Sequence, residues 1–329
     1  MNTHLTPFSD LTPDLILNAL DSIGLQCDSR LLALNSYENR VYQVGIENSS
    51  FIVTKFYRPE RWSTPAILEE HSFVKELSDS EIPVVPALPD SENKTLHLIN
   101  GFRFSVYPRQ GGRVPELDNR EKLEWMGRLV ARIHAVGALK PFKERPTLNI
   151  AGFGDEPRDY LLSRDFIPAD LIEAYSTVSS HALSAVRRCF DRAGKVNTLR
   201  LHGDCYPGNI LWTDDGPHFV DFDDSRMGPA IQDLWMLLSG GREEMTVQLK
   251  HLLTGYRTFY DFDTRELHLV EALRTLRLIH YSAWIARRWN DPAFPMAFPW
   301  FNTPRYWQDR IIELREQIAL MDEEPLGSF

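Results

Sequence analysis

The segment at residues 200–225, RLHGDCYPGNILWTDDGPHFVDFDDS, restricts this chain more than any other. It sets His202, Asp204, Asn209, Asp221, Asp223 and Asp224 around two short apolar runs, Ile210-Leu211-Trp212 and Phe219-Val220. Between the runs lies Thr213-Asp214-Asp215-Gly216-Pro217, whose Asp-Gly and Gly-Pro pairs mark a turn. Two apolar runs around such a turn read as a β-hairpin. Asn209 stands just before the first strand and Asp221 just after the second, so in an antiparallel hairpin they lie at the same end. An amide oxygen and a carboxylate then face each other across the open end. Both are hard oxygen ligands, and Mg²⁺ is usually held by one or two such groups together with phosphates and water. Asp204 precedes Asn209 by five residues, on a loop that Gly203, Pro207 and Gly208 keep out of helix. Asp214 and Asp215, at the turn tip, read as ordinary solvated turn acids.

The spacing carries more than the residue types. His-x-Asp, an Asn five positions after the Asp, then strand, turn, strand and Asp-Phe is the order used by kinases. There the first Asp receives the proton of the substrate hydroxyl, and the Asn and the second Asp hold Mg²⁺. On this order Asp204 is expected as the catalytic base. Asn209 and Asp221 are expected as the metal ligands, with Asp221 also counted as catalytic. Two positions depart from the protein-kinase pattern: Gly203 replaces the arginine of His-Arg-Asp, and Asp223 replaces the glycine of Asp-Phe-Gly. Both departures resemble the aminoglycoside phosphotransferase and choline kinase branch of the kinase-like fold, where H-G-D-x-x-x-x-N is the usual form.

The chain can support such a fold. It has 329 residues, 43% hydrophobic and 25% charged, an ordinary globular composition with the length of one large or two medium domains. Lys and Arg number 36 against 46 Asp and Glu, a net charge of −10. That balance argues against broad binding of nucleic acid or anionic membrane, and leaves room for a local basic pocket. The three cysteines, Cys27, Cys189 and Cys205, show no CxxC or zinc spacing, which fits a reducing compartment. Cys205 reads as a buried loop cysteine rather than an oxidation-sensitive thiol. The opening MNTHLTPFSD lacks a secretory layout, and no apolar run approaches the ~18 residues of a membrane span. The expectation is therefore a cytoplasmic protein with neither a nucleic acid nor a membrane as partner.

Periodicity divides the chain in two. A capped helix is expected at 12–24, with Thr12 as N-cap and Pro13 in the first turn. Strands are expected at 30–35, 40–44, 51–56, 96–99 and 102–107, with a helix at 65–77. After the QGGR stretch at 110–113 the pattern turns helical, with helices expected at 161–190, 233–238, 245–256, 264–287 and 306–321. The predicted fold is α+β: a two-lobed, protein-kinase-like layout with a small, mostly β N-terminal lobe at 1–107 and a larger, mostly α lobe at 108–329. The first lobe should bind nucleotide and the second, which includes the hairpin, should carry catalysis and the substrate.

In the first lobe Phe51, Val53 and Lys55 alternate onto one face of a strand. Lys55 can reach phosphate oxygens there, or face solvent as an ordinary strand lysine. The kinase layout favours the first role and requires an acidic partner from a helix. The ILEEHSFVKEL stretch offers Glu69 and Glu70, and Glu70 borders the packed face. Val106 and Tyr107, on the strand that joins the lobes, are expected against the adenine. No glycine-rich phosphate loop is present. The turn LNSYENRVY at 34–42 can offer only backbone N–H groups and a hydroxyl. His202 and Asp233 are expected as structural support. His202 would orient the catalytic loop, and Asp233 would either cap a helix or accept N–H groups from that loop. The aromatic and basic stretch HYSAWIARRWNDPAFP at 280–295 reads as a core helix with exposed arginines, or as a substrate wall.

With these residues in place the chain resembles the bacterial stress response kinase A family of serine/threonine protein kinases. The matching stretches are LNSYENRVYQV, KFYRPERW, ILEEH, LRLHGDCYPGNILW, FVDFDDSRMGPAIQDLWMLL and WIARRWNDPAFP, spread over residues 34–294. The resemblance implies ATP- and Mg²⁺-dependent phosphorylation of protein Ser/Thr, including the chain itself, by a cytoplasmic monomer tied to stress survival. It implies the same roles for Asp204, Asn209 and Asp221, and it adds Ser36 as a contact to ATP. The alternative that the motifs equally allow is a small-molecule hydroxyl kinase of the aminoglycoside, choline or homoserine kinase type.

Overall fold

The computed structural model describes residues 6–47 and 51–327. Packing divides the chain into two compact units. The first runs up to Pro115 and also takes in Lys143–Arg145 and Gly208–Asp223. The second holds Glu116–Phe142, Pro146–Pro207 and the residues from Asp224 on.

The first unit is built on an antiparallel sheet of β1 (Cys27–Ala33), β2 (Arg40–Ile46), β3 (Phe51–Phe56), β4 (His97–Ile99) and β5 (Phe102–Pro108), in the order β1-β2-β3-β5-β4. Helix α1 (Pro13–Asp21) covers one face. The Thr12 hydroxyl accepts from Leu15 N at 3.2 Å and Pro13 occupies the first turn, so the helix starts where its sequence signals place it. Its Ile16, Ala19 and Leu20 pack with Val44, Phe56, Phe102, Phe104 and Val106 in a buried apolar cluster. Strand alternation sends the intervening residues to the other face. Lys55, Tyr57, Ser105 and Tyr107 share that second face, where Lys55 pairs with Ser105 and Val53 with Tyr107. Helix α2 (Thr64–Asp79) meets them through His71, whose Nε2 is 2.8 Å from the Tyr57 hydroxyl.

The hairpin at 200–225 forms as its turn residues require. Strands β7 (Ile210–Thr213) and β8 (Gly216–Phe219) pair antiparallel with Ile210 opposite Phe219. Of this segment, Gly208–Asp223 packs in the first unit and the flanking residues in the second. Trp212 exchanges both backbone bonds with Arg113, and Phe219 N donates to the Pro83 carbonyl at 2.8 Å.

The second unit is helical. It comprises α3 (Arg120–Gly137), α4 (Glu156–Leu162), α5 (Ile172–Ala193), α6 (Ile231–Trp235), α7 (Arg242–Tyr256), α8 (Val270–Arg287), α9 (Ala293–Ala297) and α10 (Pro304–Asp322), with β6 (Leu199–Leu201) paired to β9 (Arg226–Gly228). Helices α3 and α7 cross at backbone contact. A Cβ on Gly127 would stand 2.0 Å from the Leu252 carbonyl oxygen, and one on Gly255 2.0 Å from that of Glu124. Helices α5, α8 and α10 enclose a core that includes Trp307, Phe301 and Phe294, all fully buried. The 280–295 stretch is part of that core, with Trp284 and Trp289 packed against it, so its tryptophans are structural. The helix expected at 264–287 is broken, because a 3₁₀ segment at Thr264–Leu269 precedes α8 and the Asp263 carboxylate accepts from Arg265 N at 3.0 Å. Among the described residues no helix is long and apolar enough to cross a membrane.

Candidate active site

In the first unit the site grows from β3, α2 and the open end of the hairpin. Val220 N donates to the Asn209 carbonyl at 3.0 Å, so the ladder continues past β8 and brings Asn209 and Asp221 to one end. Asp221 has φ +59, a left-handed conformation that Asp tolerates better than most residues. Its side chain is 54% exposed, and Oδ1 accepts from Lys55 Nζ at 3.1 Å. Lys55 itself is buried and lies 3.1 Å from Asp223 and 3.8 Å from Glu70. Burial alone would lower its pKa, but Asp223, Asp221 and Glu70 outweigh this and hold it well above the ordinary value. Lys55 is a fixed cation.

The two glutamates of α2 divide the work. The Glu70 carboxylate points inward to Lys55 and accepts from Arg145 Nη2 at 2.8 Å. Burial pushes this carboxyl up, against the pull of Lys55 and Arg145. Glu69 instead accepts the backbone N–H groups of Lys143, Glu144 and Arg145 at 2.7–3.1 Å. Arg145 also donates to the carbonyls of Ala66 and Asp223, both buried bonds.

Ser36 sits half-buried on the loop between β1 and β2. That loop is held from β3 onward: the Asn39 side-chain oxygen accepts from Arg58 N at 3.0 Å, and Arg58 Nε donates to the Glu38 carbonyl at 2.9 Å. Arg61, beyond Arg58, bonds the Asp223 carboxylate. These contacts join the NSYENRVY and KFYRPERW stretches to the hairpin end.

The structure separates the two residues expected at the adenine. Tyr107 shares the Lys55 face, with its hydroxyl 2.9 Å from that of Tyr57. The Val106 side chain is 1% exposed in the α1-side core, on the face opposite Lys55, and its carbonyl accepts from Leu88 N at 2.7 Å. Strand alternation places these neighbours on opposite faces, so only Tyr107 shares the face of Lys55.

The second unit carries the loop 202–207. Asp233, in the first turn of α6, is fully buried and accepts from both His202 N and Gly203 N at 2.9 Å. His134 Nε2 lies 3.1 Å from the same carboxylate, and its Nδ1 2.8 Å from the Tyr256 hydroxyl. Burial pushes the Asp233 carboxyl up, but the His134 and Gly203 bonds outweigh it and hold it below the usual range. Gly203 has φ +87, and a Cβ there would stand 2.1 Å from the Asp224 carbonyl oxygen. A side chain at this position would meet backbone, which is the physical reason for glycine here. His202 is fully buried and its Nδ1 accepts from Asp204 N at 3.4 Å. The Asp204 carboxylate accepts from Arg277 Nη1 at 2.7 Å. Burial of the Cys205 thiol, with Asp233 and Asp204 nearby, pushes its pKa well above the ordinary value, which leaves no reactive thiolate.

A model of the phosphotransferase enzyme family (APH) matches residues 30–270. The chain belongs to this family. Stress response kinase A of Escherichia coli (strain K12) is 45% identical over 327 residues, spanning 99% of this chain and 98% of that protein. The Salmonella typhimurium protein named serine/threonine protein kinase RdoA is 45% identical over 326 residues, with the same coverage. Similarity this close along the whole length places the kinase in the stress response kinase A branch, and its activity is transfer of phosphate to a hydroxyl acceptor. Among solved structures, an amicoumacin kinase in complex with AMP-PNP, Ca²⁺ and its ligand has a TM-score of 0.73 at 20% identity, covering 96% of this chain and 95% of that one. A microcompartment-associated aminopropanol kinase gives 0.70 at 16%, covering 94% and 97%. Both share the kinase-like α+β fold.

Reasoning from sequence missed several residues of this kinase's site. Asp223, in sequence a departure from Asp-Phe-Gly, binds Lys55 and Arg61. The signal was present in DFDD beside an arginine-rich KFYRPERW. Arg145 and Arg277 had no signal, because neither stands in a motif or a local periodicity.

Proposed function

We propose that this chain is an ATP- and Mg²⁺-dependent serine/threonine protein kinase that also phosphorylates itself. We further propose that it acts as a cytoplasmic monomer in stress survival. The observation that carries the reading is Lys55, a buried cation held by Asp221, Asp223 and Glu70. Its placement among these acids fits a lysine that neutralises phosphate oxygens, with Glu70 as the helical partner such a lysine needs. The protein acceptor rests on the 45% identity to a protein named serine/threonine protein kinase.

The residues present fit a small divalent cation. Asn209 and Asp221 offer an amide and a carboxylate oxygen at one hairpin end, and the Asp221 side chain is open to solvent. Among the described residues no group of three or more His, Cys, Asp or Glu could hold a metal. Mg²⁺ keeps waters and substrate phosphates as ligands, so one or two protein oxygens would hold it. When bound, the cation supplies charge neutralisation of the phosphates. Ser36 and the backbone of its loop would contact ATP, and Tyr107 would border the base. Asp204 would take the proton of the acceptor hydroxyl as its oxygen bonds the γ-phosphorus and the bond from that phosphorus to ADP breaks. His202 and Asp233 would hold the loop. Such catalysis is mostly positioning and electrostatics.

The test is transfer from labelled MgATP to the chain itself, to a generic Ser/Thr protein, and to choline and aminoglycosides. We expect phosphate on the chain's own Ser/Thr residues and on the protein acceptor. Asp204→Asn should lower transfer by about 10²–10⁴, the range for a positioned acid–base group. Mass spectrometry that finds no phosphorylated Ser or Thr, beside strong turnover with a metabolite, would replace this reading with a small-molecule kinase.

A further inference from the structure

The backbone of the Asp204 loop and its carboxylate are held by different elements. Asp233 fixes the N–H groups of His202 and Gly203, and Tyr206 N donates to the Asp204 carbonyl at 2.9 Å. These bonds act on the backbone and set the path of the chain. Arg277, 73 residues away in sequence, reaches the carboxylate itself at 2.7 Å.

Helix α8 has reason to deliver it. Leu273, Leu276, Ile279 and Ala283 form its buried stripe, which anchors the helix in the core of the second unit. Arg277 leaves the edge of that stripe with a side chain 42% exposed, while the Asp204 side chain is 22% exposed. A guanidinium is always charged and presents donors in a rigid fork, so it can fix both the orientation and the charge of a carboxylate.

Asp224 and His202 also act on Asp204. Asp224 opposes ionisation of Asp204, and is itself paired with Arg226 at 2.6 Å. His202, on the same loop, acts in the same direction as Arg277 but more weakly. Burial is the largest influence and raises the Asp204 pKa.

We propose that Arg277 is a positioning residue of the phosphoryl transfer: it holds the Asp204 carboxylate aimed and ionised so that it can accept the hydroxyl proton. The proposal rests on the reading of Asp204 as the base. Arg277 itself touches no reacting atom in this role.

The test measures ³²P transfer from MgATP to the chain and to dephosphorylated casein, across pH, for the parent, Asp204→Asn, Arg277→Ala and Arg277→Lys. Thermal unfolding of each variant reports whether it is folded. Removing the guanidinium takes away a group that lowers the Asp204 pKa, so the base protonates at higher pH. We expect Arg277→Ala to lose about 10-fold in kcat, less than the ~10²–10⁴ at stake when the acid–base group itself is removed. Its acid limb should move to higher pH, and Arg277→Lys should restore most of both. A merely structural pair would lower stability without moving the acid limb. If Arg277→Ala keeps the parent's limb while Asp204→Asn is inactive, Arg277 is not a positioning residue. If Asp204→Asn retains transfer, the assignment of the base fails first and this proposal falls with it.

Discussion

At the residue scale, backbone conformation decides what can stand at two positions of the site. Asp221 adopts φ +59 at the hairpin end, which turns its carboxylate back toward Lys55. Gly203 adopts φ +87 against the Asp224 carbonyl. A side chain in the left-handed region costs ~1–2 kcal/mol before any clash, and here the clash is with backbone. Gly203→Ala should therefore push the loop away from Asp224 and carry Asp204 with it. The expected outcome is a loss in kcat of about tenfold or more, up to the ~10²–10⁴ of the whole acid–base contribution, together with a lower Tm. A variant with the parent's kcat would mean that the loop tolerates the shift. From the sequence, Gly203 was legible as a departure from His-Arg-Asp. Its cause was not legible, since the carbonyl it meets lies across the turn of the loop in space.

At the element scale, the short helix α6 is a support for the catalytic loop and is itself supported. Asp233 in its first turn accepts from the loop, while the Glu266 carboxylate accepts from Ile231 N at 2.8 Å at the helix start. The two acids have opposite pH signatures. The Asp233 carboxyl is lowered in the fold, so its contribution is present above the unfolded pKa and is lost as pH falls through the folded value. Burial pushes Glu266 up from 4.5 to about 7, against the Ile231 bond. As pH rises between those values the unfolded chain releases this proton first, so folding loses stability. Glu266→Gln removes that loss. The Tm of the parent should fall relative to that of Glu266→Gln as pH is raised from 4.5 to about 7. A Tm difference independent of pH would show that Glu266 does not titrate in this window.

At the scale of the whole molecule, ligand binding is read as stability. A ligand present at about 100 times its Kd adds ~2.7 kcal/mol to the bound fold. For the parent, MgATP should raise Tm by several degrees, and ATP with EDTA should raise it much less. Asp221→Ala should abolish the Mg²⁺-dependent part of the shift, and Asn209→Ala should reduce it less, because it removes a neutral ligand. A shift in Asp221→Ala as metal-dependent as the parent's would remove the hairpin from the metal site. The division into units also bears on what was legible. A single switch near residue 107 was expected, yet Lys143–Arg145 and Gly208–Asp223 pack in the first unit after long stretches that do not. Order along the chain does not encode such returns, because they are made by packing.

The sequence by itself determined the hairpin and the shared end of Asn209 and Asp221, but not its register, since Gly216 and Pro217 of the expected turn lie in β8. The interactions that set these act over a few residues: the turn at Asp214-Asp215 and the ladder that closes from Thr213–Gly216 to Ile210–Phe219. It also determined the capped start of α1 and the strand Phe51–Phe56, which the structure reproduces at its expected bounds. Alternation, followed one residue further, would have set Val106 and Tyr107 on opposite faces, but only the pairing of Lys55 with Ser105 shows which face is Lys55's. The tertiary structure alone decided the partners of the charges. Lys55 meets Asp221 across 166 residues, and Asp204 meets Arg277 across 73. A buried or half-buried charge takes whatever counter-charge packing brings within about 4 Å, and no local pattern records which residue that will be.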